Sequence, residues 1–177
     1  MKQGEIQIGS ELLYKGKILR LRRDEVKLPN GKTSVREVVE HNGGVGVLPV
    51  RGDRVFLVEQ FRYPYGEFLL EIPAGKREGE EAPEACGLRE LAEETGLRAS
   101  ALLDLGILYP SPGYTEEKIW LFCAEDFEAG ECRPDEDEFL NVKEMKFSEA
   151  LQMAVSGKIR DAKTVAALLK YDAIRKK

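Results

Sequence analysis

The chain has 177 residues, 42% of them hydrophobic and 33% charged, with a formal net charge of −5. That length suits one compact domain with an added arm, and the apolar share is enough for a buried core. The acidic balance excludes a binder held mainly by nucleic-acid phosphates, which needs a basic surface, but leaves room for a small phosphate ligand bridged by cations. The first residues, "MKQGEIQIGS", have no apolar run of the signal-peptide kind, and no window approaches a membrane span. Cys86, Cys123 and Cys132 lack metal-ligand spacing and leave an odd thiol in any pairing. They are expected as reduced thiols in a cytoplasmic protein.

Taken in chain order, "KILRLRRDEVKL" and "TSVREVVEH" predict strands joined at "PNGK", where Asn-Gly is expected to supply the positive φ angles of a tight hairpin. "GVGVLPV" and "RVFLVEQF" are apolar and β-branched, and predict a second hairpin turning at "RGD". "EFLLEIPAG" predicts a short strand running into a loop. A helix is expected from Ala82: Pro83 fits a first turn, where a missing N–H costs nothing, and Gly96 suits a left-handed cap. Ala85, Leu88, Leu91, Ala92 and Thr95 recur at helical spacing and form the expected buried face. "LDLGILY", "KIWLFCAED" and "FLNVKEMKF" predict further strands. Two more helices follow, one from Ser148 as N-cap to Gly157 and one from Asp161 towards Ile174. This mixed order predicts an α+β sandwich and not a doubly wound parallel sheet.

Between Gly75 and Leu97 the stretch "GKREGEEAPEACGLRELAEETGL" crowds glutamates into a helix-length segment. Residues four apart share a helix face, so Glu90 and Glu94 point the same way, with Glu93 at the adjacent edge. Like charges at that spacing repel unless a cation lies between them. Converging carboxylate oxygens suit a hard ion such as Mg²⁺, with waters completing its shell. A solvated surface helix shows a similar charge run. Arg89, four residues before Glu93, can pair with it, and Glu81 stands before the first turn, where a carboxylate suits the helix dipole.

The detailed order favours the cation. A Gly, five residues, a Glu and seven residues lead into "RELAEETGL". This resembles the complete Nudix box, with Gly75, Glu81, Arg89, Glu90, Leu91, Glu93, Glu94, Gly96 and Leu97 in register. Further along, "VREVVEHNGGVGVLPV", "LVEQFRYPYGEFLLEIPAGK", "YPSPGYTEEK" and "DEDEFLNV" are similar to the ADP-ribose pyrophosphatase subgroup, from about Leu12 to Tyr171. One departure is "HNGGVG", where relatives usually carry a Pro-Gly-Ala or Gly-x-Ala type sequence.

The resemblance implies a Nudix-type α/β/α sandwich with a mixed β-sheet, an N-terminal antiparallel β arm at 1–42 and the Nudix hydrolase domain at 43–177. It implies Mg²⁺, with Mn²⁺ as a substitute, held by Glu90, Glu94, the Ala74 carbonyl and Glu138. Glu136 is the implied general base, a role that Glu138 could exchange with it, and Glu93 and Arg89 complete the catalytic set. Arg36, Arg62, Glu71, Pro112, Gly113 and Glu117 are the implied substrate contacts. The expected reaction is hydrolysis of ADP-ribose to AMP and ribose 5-phosphate. GDP-mannose or ADP-glucose is the alternative substrate, since the box engages the diphosphate and not the base. A non-catalytic sensor of such ligands is the other class, and it would be expected to lose box glutamates that this chain keeps. Relatives of this subgroup form homodimers that exchange N-terminal strands, which the β-rich arm here would allow. His41, the sole histidine, is expected to be structural or substrate-lining. No Gly-x-x-x-x-Gly-Lys-Ser/Thr phosphate cradle is present.

Overall fold

The structure, a computed structural model, describes residues 4–132 and 139–176. These fall into two units, Met1–Gly43 with Tyr109–Lys118, and Gly44–Leu108 with Ile119–Lys177.

The first unit is built on three antiparallel strands, β1 (Ile6–Lys15), β2 (Arg20–Lys27) and β3 (Thr33–Glu40), in that spatial order. β1 extends the strand region well before Lys17, where the sequence pattern first announces it. Register shifts between Gln7 and Gly9 and between Leu12 and Tyr14 break its alternation, and most of its side chains are exposed. The β2–β3 turn differs from the expected pair of positive φ angles. Gly31 alone has one, at 84°, while its N–H donates to Leu28 O (2.9 Å) and Leu28 N–H donates to Lys32 O (2.8 Å). This is a three-residue loop, a type I turn with Pro29 leading and glycine in the bulge position. The segment 109–118 joins the same unit through β3: Val39 N–H donates to Tyr114 O (2.7 Å), and Glu116 N–H donates to Val39 O (3.1 Å).

The second unit begins with β4 (Gly44–Arg51) and β5 (Arg54–Arg62), a hairpin on a two-residue loop in which Gly52 has φ 61°. β6 (Glu67–Glu71), β7 (Ala74–Lys76) and α1 (Pro83–Thr95) follow, then β8 (Leu97–Ala99), β9 (Leu103–Leu108), β10 (Ile119–Ala124), β11 (Phe127–Ala129) and β12 (Leu140–Lys146). The chain then forms α2 (Phe147–Val155) and α3 (Ala162–Arg175). The sheet runs β12-β5-β4-β10-β9, with β6 paired to β5 and β7 to β4; only β4 and β10 are parallel. β8 and β11 form a separate two-stranded ribbon.

β4 shows why both faces of this sheet must be covered. All its residues but Arg51 are buried. Val45 and Val47 pack with Cys86 and Leu91 of α1, whereas Leu48 and Val50 pack with Phe147, Ala167 and Leu168 of α2 and α3. Alternation along one strand therefore feeds two cores, and the expected α/β/α sandwich with a mixed sheet is what forms. Each such apolar side chain contributes about 1.5–3 kcal/mol by leaving water.

The helix boundaries follow local chemistry. Pro83 opens α1, and Gly96 closes it in the left-handed conformation (φ 72°). Asp161 caps α3 by accepting the Thr164 N–H. Ser148, expected as a cap, lies inside α2, whose preceding residue is Lys146 with no side-chain cap. The expected buried face of α1 is also rotated: Ala85 is exposed, and the buried residues are Cys86, Gly87, Glu90, Leu91 and Glu94.

Gly46 sits where β4 meets the core tightly. A Cβ there would stand 2.7 Å from Ile72 Cδ1, whose side chain is fully buried. Gly46→Ala is expected to destabilise the chain by about 1–3 kcal/mol through overpacking. A lowered urea-unfolding midpoint checks this, and an unchanged midpoint would contradict it.

Candidate functional site

The site begins where one strand changes partner. β6 pairs with β5 through Val58↔Glu71, and three residues later β7 pairs with β4 through Gly46↔Ala74. β4 and β5 diverge from their shared turn, and the chain at Ile72-Pro73 bridges the gap. Pro73 has no N–H to leave unsatisfied there, and its carbonyl accepts the Val47 N–H (2.9 Å).

Gly75 lies opposite Val45, on the face covered by α1. A Cβ on Gly75 would stand 1.9 Å from Glu90 Oε1, so the missing side chain is the space that the Glu90 carboxylate occupies. One turn further along α1, Glu94 Oε2 accepts the Ala74 N–H at 2.9 Å. Glu90 is 8% exposed and Glu94 only 2%. Two acids thus sit on the inward face of a helix, where the spacing of apolar residues alone would not place them.

Arg89 holds this group together. It donates to Glu81 through Nε (3.1 Å) and Nη2 (3.0 Å) and to Glu93 through Nη1 (2.8 Å), and Nη1 also lies 2.9 Å from Glu90 Oε1. The Arg89 fork holds Glu81 down at about 2, and Glu81 in turn raises the arginine further above its usual range. The loop carrying Glu81 is itself gripped. Arg77 donates twice to the Glu81 carbonyl, at 2.9 and 2.6 Å, with its guanidinium 5.0 Å over the Trp120 ring.

Hard carboxylate oxygens of this kind fit a divalent cation. Glu90 fills the space beside Gly75 and Glu94 lies one turn on against the Ala74 N–H, two acids of the kind that could serve such an ion. Among the described residues no three of His, Cys, Asp and Glu form a ready metal cluster. Glu136 and Glu138, the expected base and further metal ligand, lie outside the described residues.

Arg62 and Glu71, both expected to meet substrate, are bonded to each other. Arg62 Nε and Nη2 donate to the two Glu71 oxygens at 2.7 and 2.8 Å, and Lys163 donates to the same carboxylate. Glu71 is 2% exposed. Burial pushes its carboxyl up, but Arg62 and Lys163 outweigh this and hold it at about 2. Arg62 keeps an exposed flank, with 37% of its side chain accessible.

The other expected substrate residues belong to the first unit. Arg36 is paired with Glu5 at 2.9 and 2.5 Å, on the half-buried side of β3. Pro112 and Gly113 lie in the loop that β3 anchors at Tyr114. Glu117 lies 3.4 Å from Nδ1 of His41, which accepts the Gly43 N–H at 3.1 Å. Lys163, Thr164, Arg77 and Trp120 were not visible as site-supporting residues from the sequence. Only Asp161, legible as a helix cap, marks where the first two stand.

The Glu71 carboxyl gives a pH signature. Its folded value lies below the ordinary 4.5, so the stability it adds is present above about pH 4.5 and is lost as pH falls towards 2. Glu71→Gln is expected to be less stable than the parent chain at neutral pH by a few kcal/mol, on the order of 3. That difference should shrink between pH 4.5 and 2 in urea melts. A gap that stays constant across this range would contradict the paired-carboxylate account.

Comparison with known proteins agrees with this geometry. Residues 40–168 match the NUDIX domain, and residues 5–39 match the nucleoside diphosphate sugar hydrolase N-terminal domain. An ADP-ribose pyrophosphatase of Bacillus subtilis (strain 168) is 42% identical over 167 residues, spanning 93% of this chain and 90% of that protein. A methanol dehydrogenase activator of Bacillus methanolicus is 40% identical over the same shares. A GDP-mannose pyrophosphatase of Cronobacter sakazakii (strain ATCC BAA-894) is 41% identical over 75% of each chain. The crystal structure of an ADP compounds hydrolase superposes with a TM-score of 0.87 at 21% identity, covering 98% of this chain and 95% of that one, and so shares the fold. With an intact box whose Glu90 carboxylate fills the space beside Gly75, this chain belongs to the Nudix family of hydrolases, in the group that carries the nucleoside diphosphate sugar hydrolase N-terminal domain.

Proposed function

We propose that this chain hydrolyses ADP-ribose to AMP and ribose 5-phosphate, with Mg²⁺ as the working ion and Mn²⁺ as a substitute. The observation that carries the chemistry is the pair of buried acids on α1, Glu90 set between Gly75 and Arg89 and Glu94 held by the Ala74 N–H. The choice of ADP-ribose is supported by the likeness to the Bacillus subtilis pyrophosphatase over nearly the whole chain. GDP-mannose is the second reading, supported by the shorter match to the Cronobacter sakazakii enzyme.

Glu90, Glu94 and the Ala74 carbonyl, with Glu138, are the proposed metal ligands. A divalent cation bound there would neutralise diphosphate charge and lower the pKa of a coordinated water. Arg89 fixes Glu90 and Glu93 relative to each other, so the helix presents its acids in one arrangement. Arg62 is steered by both Glu71 oxygens and offers its remaining donors to phosphate oxygens, as its planar fork suits. Glu136 takes the proton of the attacking water. The water oxygen joins one phosphorus as the bridging P–O bond breaks, and the other phosphate leaves with that bridging oxygen. Arg36, Pro112, Gly113 and Glu117 are proposed to contact the rest of the substrate. The arm at 1–42 and the hydrolase domain at 43–177 divide these roles.

The chain is further proposed to act in the cytoplasm as a homodimer with exchanged N-terminal strands. In support of the dimer, Ile6, Ile8, Leu12, Leu13 and Tyr14 of β1 are all exposed, an apolar run that a second chain would cover. In support of a reducing compartment, the cysteines are free, and burial pushes the Cys86 and Cys123 thiols up to about 12. Among the described residues no helix is long and apolar enough to cross a membrane.

A coupled phosphate-release assay over ADP-ribose, GDP-mannose, ADP-glucose, NADH and 8-oxo-dGTP, with and without Mg²⁺, tests the substrate. Metal-dependent preference for ADP-ribose is expected, and better turnover of GDP-mannose would move the assignment to it. Glu94→Gln should lose at least about a hundredfold in turnover while keeping its fold, and an active, folded variant would remove the metal role. Sedimentation should give twice the chain mass; a monomer at working concentration would count against the exchanged dimer.

A further inference from the structure

The joint at Ile72-Pro73 is held from an unexpected direction. α1 covers one face of the sheet, and α3 packs on the other. Yet the N-terminal turn of α3 reaches Glu71 and Ile72, the first two of the four residues that lead into Gly75. Asp161 Oδ2 accepts both the Thr164 N–H (2.9 Å) and the Thr164 hydroxyl (2.5 Å). With its proton directed there, Thr164 Oγ1 accepts the Ile72 N–H at 2.8 Å, in a fully buried setting. Lys163 spans Asp161 (3.0 Å) and Glu71, and so ties the neighbouring side chain to the same cap.

Residues 71–74 are thereby pinned one by one. Glu71 is held by Arg62 and Lys163, Ile72 by Thr164, Pro73 by the Val47 N–H, and Ala74 by Glu94. Two of those four anchors come from α3. The pair Lys163 and Asp161 also leaves Glu71 able to hold Arg62 without an uncompensated charge in the interior.

We propose that Lys163 and Thr164 are positioning residues for the metal end of the site, acting through Glu71 and Ile72 on the joint that sets Ala74 and Gly75 against Glu94 and Glu90. This rests on the assignment of Glu90, Glu94 and Ala74 to the metal. Supporting partners of this kind change metal affinity about 10–100-fold when removed in other sites.

Thr164→Val keeps the shape and removes both hydroxyl bonds, whereas Thr164→Ser keeps them. Mn²⁺ binding to the full chain, measured by titration calorimetry without substrate, should weaken about tenfold in Thr164→Val and stay near the parent value in Thr164→Ser. At saturating Mn²⁺ the KM for ADP-ribose should stay within about twofold, which a general loss of structure would not give. A folded Thr164→Val chain with parental Mn²⁺ affinity overturns the proposal. Should that variant fail to fold, Lys163→Met decides: weakened binding restored by Lys163→Arg supports positioning, and unchanged binding overturns it. A parent chain that binds no Mn²⁺ would instead sink the metal assignment, and this proposal with it.

Discussion

Burying a carboxylate is tolerable only where something answers its charge, and the Nudix helix of this chain buries two. Glu90 is answered by Arg89 and given room by Gly75, and Glu94 is answered by the Ala74 N–H. The remaining architecture can be understood as holding those partners still. The loop before α1 supplies Glu81 to Arg89, Arg77 grips that loop, and β7 delivers Gly75 and Ala74 in the one register that faces the helix. An arginine is required at position 89 because five donors in a rigid plane can serve several carboxylates at once, which an ammonium group cannot.

Around the site, two networks in the second unit handle charge. One surrounds Arg89 and is partly open to solvent, with Glu93 at its edge. The other surrounds the buried Glu71, with Arg62, Lys163 and Asp161 balancing two negative charges with two positive ones. The first faces the α1 side of the sheet, and the second is anchored in α3. The backbone from Glu71 to Lys76 runs between them: Glu71 belongs to the second network, and Arg89 Nη2 donates to the Lys76 carbonyl at 3.2 Å.

Much of this was legible in the sequence, for reasons that can be named. The box is a spacing of chemically irreplaceable residues, so Glu90, Glu94, Arg89 and Gly75 announce themselves, and the family assignment follows. Strong local signals also held: Pro83 and Gly96 bound α1, Asp161 caps α3, and the β4–β5 hairpin turns at Gly52. The failures share a cause. Ala85 was expected inside because hydrophobic periodicity counts apolar residues, whereas the inward face of α1 carries glutamates whose partners lie elsewhere in the chain. Ser148 reads as a cap by type, but the cap position falls two residues earlier, at Lys146, and the Phe147 N–H donates to Asp53 O beside the β5–β12 pairing. Bulges hid the pattern of β1. Lys163 and Thr164 were illegible because their roles depend on residues about ninety positions away.

The change of partner between β6 and β7 also bears on which lengths of chain this fold can accept. Side chains alternate from face to face along a strand, so one inserted or deleted residue reverses every position after it. Between Glu71 and Ala74 such a change would leave the β5–β6 pairing intact but turn Gly75 away from α1 and put a side-chain-bearing neighbour against Glu90. The loop at 63–66 faces no such constraint from pleat alone, whereas 77–80 lies inside the Gly75–Glu81 spacing that Arg77 and Arg89 hold. Length variation among functional descendants of this sequence is therefore expected to gather at 63–66 and to spare the span from Glu71 to Glu81.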